Sequence, residues 1–124
     1  MNNKNFEVLS NDIIYQTINR SNCCKIAICS DNQPYIYTMY YNLELKDDKF
    51  IFKLVSKNYD EKMKYLEKNQ KVSLEIEVFN QNSIDIIKVI GLAKMKPNEN
   101  NPNYFNECNI KIIPNCITGK RFYF

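Results

Sequence analysis

The stretch SKNYDEKMKYLEKNQKV, residues 56 to 72, stands between a short aromatic and aliphatic run at residues 50 to 55 and a cleanly alternating one at residues 72 to 78. It reads as a helix carried between two strands. Asn58 and Glu61 stand three apart, as in a capping box. Tyr59, Met63 and Leu66 recur at i, i+4 and i+7, which gives the helix one apolar face to lay on a sheet. Lys62 is out of place, because a cation in the first turn sits near the positive end of the helix dipole. An anion such as a phosphate, held jointly by the helix N-terminus and this lysine, would remove the conflict. The plainer reading makes Lys57, Lys62, Lys64, Lys68 and Lys71 one solvated helix surface.

Working outward, period-two patterns flank this helix on both sides. Val72, Leu74, Ile76 and Val78 alternate with Ser73, Glu75 and Glu77, a strand with one dry and one wet face. Asn80 to Ser83 turns into a strand that is apolar on both sides, Ile84, Ile86 and Ile90 against Ile87 and Val89, interrupted by Lys88. Upstream, Cys24, Ile26 and Ile28 alternate with Lys25, Ala27 and Cys29. The turn Asp31-Asn32-Gln33-Pro34 leads into a strand over residues 35 to 45, with Tyr35, Tyr37, Met39 and Tyr41 on one face and Ile36, Thr38 and Tyr40 on the other. Residues 46 to 49, Lys-Asp-Asp-Lys, form a hairpin turn into residues 50 to 55. Ser10 caps a leading helix with Ile14 and Ile18 on one face, and residues 1 to 9 carry no pattern beyond a short helix or arm. Residues 96 to 109 read as a loop, and a last strand over residues 110 to 124 is expected to break near Pro114 and Gly119. The fold expected is mainly β: a six-stranded Greek-key split β-barrel with a crossover helix and an N-terminal helix, as a single domain over residues 1 to 124.

Composition removes whole classes of chemistry. The 124 residues include no histidine, which excludes Ser-His and Cys-His nucleophiles and histidine-held metals. With only Gly91 and Gly119, the chain has no glycine-rich phosphate loop. Five cysteines form no CxxC pair and cannot close a complete disulfide set, so reduced and mostly buried thiols in a cytoplasmic protein are expected, with no metal. No apolar run reaches membrane-spanning length, and the N-terminus lacks a hydrophobic signal core. The net charge of +3 demands no nucleic-acid partner. Abundant Asn, Ile, Lys and Tyr suggest an AT-rich genome.

The order of a leading helix, the hairpin CKIAICSDNQPYIYTMYY, the strand KFIFKLVS and then KNYDEKMKYLEKNQKVSLEI resembles the FMN-binding split-barrel family. That is the bacterial pyridoxamine 5′-phosphate oxidase-like superfamily, with its small nitroimidazole-reductase-like members. The resemblance covers residues 10 to 95. Its most specific part is Ser56, Lys62, Leu66, Asn69 and the alternating strand from Val72, and the ending IKIIPNCITGKRFYF also looks like the last strand of short members. The resemblance implies a homodimer holding FMN at the subunit interface. It places the phosphate on Ser56, Lys57 and Lys62, and the flavin ring against Thr38, Met39, Tyr40 and Val55. It further matches Lys88, three residues before Gly91, to a basic position that contributes to the cofactor. The alternative for Lys88 is a side chain that snorkels to solvent from a barrel mouth.

The departures from the family are equally specific. Where many members carry Ser and Arg before the lysine, this chain has Asp60 and Glu61. Carboxylates there repel a phosphate unless they turn away to cap the helix or pair with Lys57 or Lys64. The Arg- and Trp-rich C-terminal segment that binds the B6 substrate has no counterpart, so authentic pyridoxamine phosphate oxidation is not expected. What the resemblance implies is an FMN-dependent oxidoreductase passing electrons from a reduced nicotinamide or similar donor to a small acceptor. No catalytic acid can be assigned; Tyr37 and Tyr40 are candidates only for bordering the ring. Alternatives are a non-catalytic flavin carrier or sensor, and a small barrel that binds single-stranded nucleic acid through tyrosines and lysines.

Overall fold

The computed structural model describes residues 5–57, 60–97 and 108–124. Three strands form a meander by way of two tight turns: β2 (Cys23–Ser30), β3 (Gln33–Lys46) and β4 (Lys49–Ser56). Both turns use two residues at positive φ, Asp31 (51°) with Asn32 (64°) and Asp47 (53°) with Asp48 (61°). This backbone matches the right-handed twist of the flanking strands, and Asp and Asn tolerate it better than other non-glycine residues. After β4 the helix α2 (Glu61–Lys68) crosses to β5 (Lys71–Phe79), which returns beside β2 in Greek-key fashion. Then β6 (Ser83–Pro97) and β7 (Cys108–Tyr123) follow, each antiparallel to the strand before it.

The first half of β7 pairs with β6 on one side and with β4 on the other, which closes the ring β7-β4-β3-β2-β5-β6. These are the six strands expected of a split barrel. A seventh, β1 (Phe6–Val8), lies in the segment whose sequence carried no pattern; it pairs with the second half of β7. The barrel interior is filled by the inward residues of each strand, including Ile26, Phe52, Leu74, Ile76, Ile87 and Ile112, all essentially without solvent exposure. The helix α1 (Asn11–Arg20) packs Ile14 and Ile18 against this core, and the Tyr41 hydroxyl donates to the Ile18 carbonyl at 2.6 Å.

Three expectations are corrected. The last strand runs through Pro114 and Gly119 unbroken. At Pro114, which has no N–H to give, the β6–β7 register instead slips by one residue. A Cβ on Gly91 opposite would lie 2.4 Å from the Ile113 carbonyl oxygen, so the bare glycine permits the close approach. The loop expected over residues 96 to 109 is shorter, because Lys96, Pro97, Cys108 and Asn109 are paired strand residues; the remainder lies outside the described residues. The capping box is not formed as expected: Asp60 is the N-cap of α2 and makes no side-chain cap bond. Asn58 and Tyr59 lie outside the described residues, while Met63 and Leu66 are buried as their spacing requires.

Candidate functional site

The β3–β4 ladder ends at Tyr41 opposite Leu54. Beyond it, residues 33–40 of β3 remain paired to β2 on one side only, and β4 turns away to continue against β7. The barrel is split here. A strand edge exposed in this way carries backbone donors and acceptors with no ladder partner, suited to a planar heteroaromatic ring with polar edges. The split opens into a cleft of about 540 Å³, within the roughly 300–1,000 Å³ of small-molecule sites.

The cleft brings together Thr38, Met39 and Tyr40 from β3 with Val55, Ser56, Lys57 and Lys62 from the end of β4 and the start of α2. Seven of the eight residues assigned to a cofactor thus lie around one opening. Tyr40 is largely exposed at its rim and Val55 half-exposed, while Ser56 is buried. Lys88 is elsewhere. It lines a separate hollow of about 380 Å³ on the outer sheet face, with Lys25, Glu75 and Thr118.

Lys62 does not belong to a solvated helix surface, since its side chain is only 13% exposed whereas Lys57, Lys64, Lys68 and Lys71 are open to water. Its ammonium lies 5.7 Å from the centre of the Tyr37 ring and forms an ion pair of 2.5 Å with Asp60. Asp60 therefore neither caps the helix nor pairs with Lys57 or Lys64: it neutralises the lysine that the resemblance gives to the phosphate. Its second oxygen, Oδ1, is buried and has no hydrogen-bond partner. The helix itself is held by Asn69, whose amide donates to the Cys29 carbonyl at 3.0 Å and whose oxygen accepts from the Lys71 N–H.

Tyrosines dominate the opposite wall. Tyr37 donates to Glu61 at 3.4 Å, and partial burial followed by the Glu61 charge pushes its pKa above the ordinary phenol value. Tyr41 is pushed up to about 12, chiefly by burial, and its proton is already engaged by the Ile18 carbonyl. Tyr35 stacks on Tyr65 at 4.5 Å just outside. None of the five thiols lines the cleft: Cys24 and Cys108 are buried, with Cys24 pushed up to about 12 by that burial, Cys23 and Cys29 are partly buried, and Cys116 is exposed on β7. Among the described residues no three potential metal-ligating side chains gather at one point. No described helix is long and apolar enough to cross a membrane.

The fold is shared with known structures. A FAD-binding protein from Mesorhizobium loti superposes with a TM-score of 0.79 at 16% identity, over 94% of this chain and 97% of that one. A candidate pyridoxamine 5′-phosphate oxidase from Corynebacterium glutamicum gives 0.75 at 13% identity, over 96% and 99%. A candidate 5-nitroimidazole antibiotic resistance protein from Bacteroides thetaiotaomicron gives 0.69 at 17% identity, over 94% and 87%. No family model matches the chain, and no curated protein matches it in sequence. At these identities the likeness is one of fold: the chain is a split β-barrel, the architecture it shares with these proteins.

Sequence reasoning missed two features of the site. Asp60 as the partner of Lys62 was hidden because residues two apart on a regular helix do not face each other; Asp60 is the non-helical N-cap, which frees its side chain to turn inward. The open edge of β3 has no signal in its own residues, since it results from where β4 leaves it.

Proposed function

We propose that the chain is a flavin-binding protein that holds FMN in the split between β3 and β4 and works as an oxidoreductase. One observation carries this reading: an unpaired strand edge, the Ser56 hydroxyl and three lysines, Lys53, Lys57 and Lys62, converge on a single cleft. The relatives in fold described as flavin-binding or oxidase-like support it. The ring end suits a flavin, with the β3 edge to meet polar ring atoms and Met39 and Val55 as apolar contacts. At the other end Ser56, Lys57 and Lys62 are the donors for a phosphate, which must compete with Asp60 for Lys62.

Bound flavin supplies the hydride and electron transfer. The protein's own part is to orient the ring through the β3 edge, to bind the phosphate, and to keep a proton on Tyr37 Oη, which its raised pKa retains at neutral pH. Tyr41 serves structure, because its proton is committed to α1.

A homodimer completes the proposal. On the outer face, Thr38, Lys25, Glu75, Lys88 and Thr118 form one cross-strand row of alternating charge. The neighbouring row runs Ile36, Ala27, Ser73, Ile90 and Cys116, with Ile36 and Ile90 exposed. A surface with both signs and apolar ridges is complementary to itself across a twofold axis. Lys88, remote from its own cleft's lining, would reach a flavin from across that interface.

The visible spectrum of the freshly purified protein is the test. Yellow protein with flavin absorbance, a dimer by sedimentation, and NADH or NADPH oxidation with a small acceptor are expected. Colourless protein that takes up no FMN sinks the reading; flavin uptake without turnover against a panel of acceptors reduces it to a carrier.

A further inference from the structure

On the far side of β4 from the cleft lies a second opening of about 590 Å³, lined by Asn42, Lys53, Lys94, Lys96, Asn109 and Lys111 among others. Lys53 is directly opposite Lys111, and Lys111 directly opposite Lys94. Three ammonium groups thus stand side by side on adjacent strands, with Lys96 two residues further along the same face. Like charges in direct cross-strand register destabilise a sheet. Only Lys53 has an acidic partner, Glu44 at 3.5 Å; Lys94, Lys96 and Lys111 have none among the described residues.

Elsewhere the described pairings set like charges opposite each other at the β3–β4 hairpin, Lys46 with Lys49, and there as a pair and not a row of three. Across β2, β5 and β6 the equivalent row is Lys25, Glu75 and Lys88, where signs alternate and Lys25 also pairs with Glu77 at 3.7 Å. Nor do the three lysines guard a sheet edge, because the first half of β7 is paired on both sides. A row in which Lys94, Lys96 and Lys111 have no acidic partner among the described residues is, in a concave site, relieved by a bound anion. The trough shares Asn42, Lys53 and Val55 with the cleft, so one ligand can span both. It lacks aromatic side chains among its described lining residues, unlike a surface that stacks successive nucleic-acid bases.

We propose that this trough binds the diphosphate of a dinucleotide whose redox ring lies in the adjoining cleft, an inference that rests on reading the cleft as a flavin site. With the FMN phosphate assigned to Ser56, Lys57 and Lys62, the dinucleotide is a nicotinamide dinucleotide that reduces FMN already in place, since in FAD that same phosphate is half of the diphosphate.

The test uses ADP, which carries the diphosphate and no redox ring, in calorimetric titrations of wild type and Lys94→Gln/Lys111→Gln. Flavin uptake is scored separately by absorbance. ADP should bind the wild type, more weakly as salt is raised, and lose roughly tenfold or more in affinity in the double variant. FMN affinity should be unchanged. The control Lys68→Gln/Lys120→Gln removes the same charge elsewhere and should leave ADP binding intact. FAD binding tenfold tighter than FMN, with ADP competing against it, would put the flavin's own phosphate in the trough and overturn the proposal. ADP binding to FMN-loaded protein without a FAD advantage identifies the nicotinamide dinucleotide. If ADP fails to bind, or binds equally well to the double variant, the trough is not a diphosphate site. An oligonucleotide held by the same lysines more tightly than ADP overturns the proposal in favour of nucleic acid. ADP binding that depends on the lysines supports the trough even if no flavin is taken up, and that outcome refutes only the cleft assignment.

Discussion

Asp85 and Asp60 are both carboxylates paired with a cation, and they lie at different parts of the barrel wall. Asp85 is fully buried on β6. It receives Arg121 through Nε at 2.7 Å and Nη2 at 3.0 Å, with the Thr17 hydroxyl and Arg20 each 3.5 Å away. Both its oxygens are engaged, and the contacts tie α1, β6 and β7 together. Asp60, at the cleft, meets one lysine through one oxygen and leaves the other oxygen buried and unmatched. A saturated buried acid is a structural joint, since nothing can displace its partners without loss. A half-satisfied acid beside a cation is a competitor, and another anion can replace it at small cost.

The sharpest way to break this comparison is at Asp85. Asp85→Ala should lower unfolding free energy by about 3 kcal/mol in urea titrations, because it removes both charge-assisted bonds to Arg121 and leaves that guanidinium only Glu7 at 3.6 Å among the described carboxylates. A double replacement with apolar residues, Asp85→Leu/Arg121→Met, should lose less than the single change; an equal or larger loss refutes the joint. The same pair sets the acid limb of stability. Arg121 holds the Asp85 carboxyl below its ordinary value. The stabilisation is therefore complete above about pH 4 and disappears as pH falls through the depressed value. Wild type should lose stability more steeply than Asp85→Ala on acidification below pH 4, and parallel curves would count against this linkage.

Next in size is Lys62→Ala, which should weaken FMN by roughly 1.5–3 kcal/mol, about 10- to 150-fold, as read by flavin fluorescence. Its unfolding midpoint should fall as well, because Asp60 loses its ion-pair partner, so affinity is read where the variant is folded. Riboflavin, without the phosphate, should bind wild type and variant alike. Tyr41→Phe is smaller: it removes the donor to the Ile18 carbonyl and should cost about 1 kcal/mol of stability. The smallest effect is the most telling. Asp60→Asn should tighten FMN binding by about 0.2–1 kcal/mol, up to roughly fivefold, since the competitor loses its charge. Weaker binding in that variant would make Asp60 an ally of the site and end the contrast.

Much of this architecture was legible in the chain. Alternation located the ring strands and assigned their faces, so Ile26, Leu74 and Ile76 fall on inward faces by pattern alone, and the Asp-containing turns mark both hairpins. Alternation gives faces but no register. Lys53, Lys94 and Lys111 are distant in sequence, and only strand pairing shows that they stand abreast. Asp85 was inconspicuous within an isoleucine-rich run, because its burial depends on arginines from α1 and β7. The β1 strand is three residues long and owes its place to pairing with β7, which no local pattern announces. For the site, the resemblance assigned eight residues, of which seven line one cleft while Lys88 lines a hollow on the outer face.

The unpaired edge of β3 also bears on how long a molecule survives. A row of open backbone groups invites another extended chain, whether a neighbouring molecule or the substrate strand of a protease. A ligand that covers the edge closes that route and adds its own linkage, about 2.7 kcal/mol when present at a hundred times its dissociation constant. Cellular abundance would then follow cofactor supply: molecules that have found their ligand persist, and those that have not are cleared.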